Sequence, residues 1–114
     1  MATRKIDKND WQHYFDHLSS VMPTFLTEIE VAGLDIGDQV EGEWVPLTGI
    51  SYDPNDDVLT VEIDNGKVLH NIRNPQEVVV DEDDAGLHSI EVKCGYGHLH
   101  ILKLKTPLDL PPAK

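Results

Sequence analysis

Pro23 divides the chain into two hydrophobic periods, and that division constrains the fold more than any other feature of the sequence. Before it, Trp11, Tyr14, Phe15, Leu18, Val21 and Met22 recur at spacings of three and four, which makes one amphipathic helix over residues 9–22. Asp7, Asn9 or Asp10 can accept from its first amides. The proline ends it, because the residue before a proline avoids helical geometry. After Pro23 the period is two. Leu26–Val31 alternates as a strand, and no later segment returns to helical spacing.

The remainder reads as hairpins. Residues 31–42 are glycine-marked and polar, which predicts a loop with room for a short extended piece. Glu43–Tyr52 is a strand interrupted by Pro46, which cannot donate to a ladder and so marks an edge or a bulge. Pro54 opens a turn, and Leu59, Val61 and Ile63 share one face of the next strand. Asn65-Gly66 is the strongest hairpin signal, since both residues tolerate the positive φ of a type I′ turn. Strands over Lys67–Arg73, Gln76–Val80, Leu87–Cys94 and His98–Lys105 follow. The sequence thus predicts an α+β fold in a single domain, 1–114. It has a helix at about 9–22, a β-rich part at about 26–105 and an extended tail over 106–114. Six or seven short antiparallel strands would form a strongly bent sheet or small open barrel, with the helix covering one mouth or face.

Composition works mainly by exclusion. Twenty-one acidic against nine basic residues give a formal charge of −12, which repels phosphate backbones and anionic membranes. The single cysteine, Cys94, forms no internal disulfide, so a reducing, cytoplasmic setting is expected. No apolar run approaches the roughly 18 residues of a membrane span, and the N-terminal stretch is not a signal peptide.

Three groups of residues are candidate sites. His13, Asp16 and His17 form H-x-x-D-H, one methylene short of a zinc-hydrolase pattern. On a helical wheel His13 and Asp16 lie nearly opposite the apolar stripe and His17 beside its margin, and the shorter acid withdraws the base, so a solvated face is the expectation. The second group depends on the turn at Gly95-Tyr96-Gly97. A three-residue loop sets Cys94 opposite His98 and Val92 opposite His100, which gathers Cys94, His98 and His100 on one face with donors suited to zinc or copper. A two-residue turn sends the histidines to the other face. The third is the run Asp81–Val92, which lacks two ligands of a calcium loop and reads as a hairpin turn. Trp44 and Tyr52 flank the second strand, where they would line a groove or pack in the core. Phosphate-binding glycine loops, nucleophile elbows and C-x-x-C pairs are absent from the sequence.

The helix WQHYFDHLS, the segments IEVAGLDIGDQVEGEWVPLTGISYDPNDDVL and NIRNPQEVVVDEDDAGLHSIEV, and the closing TPLDLP resemble a family of small uncharacterised bacterial proteins (domain of unknown function 5335). The resemblance spans nearly the whole chain and implies a bacterial origin, with no activity or ligand residues to carry over. The expected function is a non-catalytic interaction module that takes a protein partner or a second copy, and not nucleic acid or membrane. The alternative is a metal-binding protein using Cys94, His98 and His100.

Overall fold

The computed structural model describes residues 2–21, 25–33, 37–63, 66–84 and 86–108. Strand β1 (Ala2–Ile6) leads through a 3-10 turn at Lys8–Asp10 into α1 (Trp11–Val21). Seven strands follow: β2 (Phe25–Gly33), β3 (Gly37–Asp53), β4 (Val58–Ile63), β5 (Val68–Arg73), β6 (Pro75–Asp83), β7 (Gly86–Cys94) and β8 (His98–Leu108). They form one antiparallel sheet in the order β1-β6-β7-β8-β2-β3-β4-β5.

The mixed class and the antiparallel meander agree with the sequence reading, while the strand count rises to eight. The added strand is β1. Its residues Thr3, Arg4 and Lys5 are exposed and, among its described side chains, only that of Ile6 is buried, so no alternation announces it. What makes it a strand is its partner β6, with Arg4 opposite Val80 and Ile6 opposite Val78. The segment read as a loop over residues 31–42 is also largely paired: Val31 faces Gln39, Ala32 faces Asp38 and Gly33 faces Gly37 across a β2–β3 hairpin. β8 continues to Leu108, into the segment read as a tail. Asn65 and Pro23 lie outside the described residues, but Ile63 opposite Val68 is the register that an Asn65-Gly66 turn demands.

Pro46 sits where β3 changes partners. β3 pairs with β2 through Leu47 and with β4 only from Leu47 onward, with a register shift between Leu47 and Gly49. The proline therefore falls one residue outside the β4 ladder, at a local edge beside an irregularity, as its missing N–H requires.

The sheet is strongly curled without being closed. β5 is the terminal strand at one end and β6 is second from the other, yet a single residue, Asn74, joins them. Six strand spacings would set β5 and β6 about 29 Å apart in a flat sheet, whereas a one-residue link spans about 7 Å. The two ends must therefore swing toward each other. Asn74 occupies the left-handed region (φ 54), which asparagine tolerates better than most residues. Its N–H donates to the Asp57 carbonyl at 3.0 Å and its carbonyl accepts from Gly95 N–H at 2.8 Å, which ties two hairpin turns to the junction. A Cβ at Gly95 would collide with the Asn74 side chain, so any larger residue there forces that side chain aside. Among the described residues no ladder joins β5 to β1 or β6.

One core fills the concave face. Trp11, Phe15 and Leu18, the stripe of α1, are each at most 1 % exposed and meet Leu47, Ile50, Leu59, Val61, Val78, Ile90 and Leu102. Burial of each such side chain stabilises the fold by roughly 1.5–3 kcal/mol. The Trp11 indole N–H donates to the Ile6 carbonyl at 2.9 Å, joining the helix start to β1. Near the other end of α1, Ser19 Oγ donates to Ile50 O at 2.6 Å and accepts from Ile50 N–H at 3.0 Å. Both backbone groups of an extended residue point to one side, and β2 stops pairing with β3 at Leu47. The Ser19 hydroxyl takes the place of the missing strand. No helix among the described residues is long and apolar enough to cross a membrane.

Candidate metal centre

The β7–β8 hairpin decides the chemistry at its end. Val92 faces His100, Ile90 faces Leu102 and Lys93 faces Leu99, so the loop is the three-residue Gly95-Tyr96-Gly97 form and Cys94 is brought opposite His98. Gly97 adopts φ 84 and its N–H donates to the Cys94 carbonyl at 3.2 Å. A left-handed residue in the last loop position is the device that lets three residues join two strands, and glycine supplies it without strain.

In this register the even-numbered residues of β8 point into the curled sheet. Leu102 and Leu104 belong to the core, and His100 and His98 continue the same face toward the hairpin end. Cys94 is 5 % exposed, His100 is 7 % exposed and His98 is half-buried. One ligand atom from each of Cys94, His98 and His100 lies within 4.8 Å of the others. Among the described residues this is the one group of three or more Cys, His, Asp or Glu side chains disposed to share a metal ion.

His70 extends the cluster, and sequence reasoning missed it. It shares the parity of Ile72 on β5, so its inward orientation was legible; its neighbour was not, because β5 and β8 are separated by three strands in the sheet. The curl brings them together. His70 Nε2 lies 3.1 Å from His100 Nδ1, with ring centroids 5.2 Å apart, and the His98 and His100 centroids are 6.4 Å apart.

Burial, and after it the neighbouring imidazoles of His70 and His98, pull His100 down to about 4. His100 is thus neutral at pH 7 and has a ring nitrogen lone pair to offer. A thiol, two imidazoles and a third imidazole beside them form a donor set for a borderline or soft cation.

The other candidates are placed differently. His13 and Asp16 are exposed on α1, His17 is half-buried, and the three form no metal-binding group. Asp81 and Asp83 lie in β6 and Gly86 opens β7, with Asp83 opposite Gly86 across a tight turn. His88 Nε2 is 2.9 Å from Asp83 Oδ2 across that turn. Tyr52 is 6 % exposed, its ring edge-on to Trp11 at 5.1 Å and its hydroxyl donating to Asp57 at 2.7 Å, which makes it a core residue rather than a groove wall. Trp44 lies in β3, and its side chain is outside the described residues.

A protein of Aquifex aeolicus (strain VF5), named only as an uncharacterized protein, is 42 % identical over 111 residues, covering 97 % of this chain and 99 % of its own length. No solved structure matches. The model of a family of unknown function, DUF5335, matches residues 2–113, and the chain belongs to that family.

Proposed function

We propose that the protein binds a transition-metal ion, zinc or copper, through Cys94, His98 and His100. The observation that carries this reading is the convergence of their three ligand atoms within 4.8 Å at a hairpin whose register is fixed by Gly97. Soft thiolate with imidazole selects these metals over calcium or magnesium, which take oxygen ligands. Binding exchanges the Cys94 thiol proton for the metal and draws on strands β7 and β8 together. Metal and fold are therefore coupled: an ion that binds the native state at 100 times its Kd adds about 2.7 kcal/mol of stability. The test is thermal unfolding of chelator-treated protein with and without added zinc. The reading predicts an upward shift of Tm that Cys94→Ser removes; an identical Tm in both conditions, for a protein that also retains no copper, counts against it.

A second reading is favoured by Leu69, which is 56 % exposed on the terminal strand β5. A strand edge carrying an exposed leucine can accept a strand from a protein partner or from a second copy. Light scattering across a dilution series tests self-association, and Leu69→Lys should abolish any dimer seen.

A further inference from the structure

We propose that His70 is a fourth ligand of the same ion, so that the centre is a closed, four-coordinate zinc site of one cysteine and three histidines that clips strand β5 to β8. This rests on the metal-binding reading above and deepens it. Three protein ligands leave a coordination position open for water or substrate, as in catalytic zinc sites; four close it, as in structural ones. The role of the centre therefore depends on His70.

Distance supports the assignment. Two nitrogens held at 2.0–2.1 Å from a tetrahedral zinc lie about 3.3 Å apart. His70 Nε2 and His100 Nδ1 are separated by 3.1 Å, close to that spacing; His70 stands outside the group of Cys94, His98 and His100 whose ligand atoms already converge, so the assignment requires its ring to turn from His100 toward the ion they would share. Topology supplies a reason for the arrangement. Among the described residues β5 ends the sheet and pairs only with β4, and it is brought toward β8 by the one-residue junction at Asn74. Hydrogen bonding in the sheet does not fasten that approach, since no ladder joins β5 to β8 among the described residues. An ion held by Cys94 of β7, His98 and His100 of β8 and His70 of β5 would fasten it, joining segments distant in sequence where a cross-link restricts the unfolded chain most.

The competing role for the same contact is that of an outer partner, in which His70 only orients His100 by a hydrogen bond. Glutamine separates the two, because His70→Gln keeps a hydrogen-bonding side chain of similar reach while removing the imidazole. The experiment is cobalt(II) titration of the chelator-treated full chain. The visible spectrum reads coordination, and competition with a chromophoric chelator reads affinity, for wild type, His70→Gln and His70→Gly. Circular dichroism of each variant confirms that it folds.

The expected result is one cobalt per wild-type chain with a thiolate charge-transfer band from Cys94. In His70→Gln the ligand-field bands shift and affinity falls by more than the roughly 10–100-fold typical of losing an outer partner. Added imidazole restores the wild-type bands in His70→Gly. Unchanged bands in His70→Gln, whatever the affinity, overturn the fourth-ligand assignment while leaving the three-residue site standing. Failure of wild type to take up cobalt or zinc overturns both.

Discussion

Replacing Ser19 with alanine removes one hydroxyl and leaves two backbone groups without their partner. Ser19 Oγ both donates to Ile50 O (2.6 Å) and accepts from Ile50 N–H (3.0 Å), and Ile50 is 2 % exposed. Each neutral hydrogen bond contributes about 0.5–1.5 kcal/mol net, and a buried group left unmade costs about 1–3 kcal/mol. Two considerations lower the sum. The cleft lined by Ser19, Ser20, Thr48, Ser51 and Glu62 admits water to Ile50, and alanine is the better helix former by about 0.5 kcal/mol. The expected net loss is about 1–1.5 kcal/mol, read in urea unfolding as a lower midpoint at unchanged m-value. Ser20→Ala is the control, since its hydroxyl bonds only to the His17 carbonyl one turn back at 2.7 Å and is exposed. That variant should match wild type or gain slightly. If Ser19→Ala stays within about 0.3 kcal/mol of wild type, or moves with Ser20→Ala, the hydroxyl does not stand in for a strand and the helix-to-β3 link is not what holds α1 in place.

Further outcomes follow from the hairpins and from the tyrosines. At Gly97, where φ is 84 and a Cβ would meet nothing within 4 Å, Gly97→Ala should cost about 1–2 kcal/mol through backbone conformation alone. Gly97→Asn should lose less, and comparing their unfolding midpoints checks this. Burial raises Tyr14 and Tyr52 to about 12, with Glu82 adding to the shift at Tyr14 and the Asp57 hydrogen bond at Tyr52. Their folded pKa lies above the unfolded value of about 10, so the stability each confers is complete below pH 10 and is lost as pH rises toward 12. Spectrophotometric titration should therefore find two phenols ionising near pH 12 or together with alkaline unfolding, and Tyr52→Phe should remove one of them.

How far the sequence spoke for the fold depended on whether local signals carried the information. The helix was legible because Trp11, Phe15 and Leu18 bury one stripe and Pro23 stops the pattern. The pairing of β4 with β5 was legible because the Asn65-Gly66 signal permits few registers, and Ile63 opposite Val68 is among them. β1 was not, because its stability comes from β6, more than 70 residues away, and its own side chains are mostly solvated. Residues 37–42 were misread for a related reason: glycine and polar residues weaken a strand signal that pairing with β2 overrides.

The site was half legible. Cys94, His98 and His100 lie within one hairpin, so a single choice of loop length settled whether they met, and the left-handed Gly97 made that choice. His70 comes from a strand separated from β8 by three others in the sheet, and only the curl imposed at Asn74 brings it to His100. The sequence contains its inward parity but nothing that names its neighbour.

The most direct test of the central claim is metal content. The chain should be expressed without a histidine tag, dialysed against a weak chelator and assayed by elemental analysis beside Cys94→Ser and His100→Asn. About one equivalent of zinc or copper per wild-type chain is expected, with only traces in the two variants. Traces in all three proteins, with wild type folded, would contradict it.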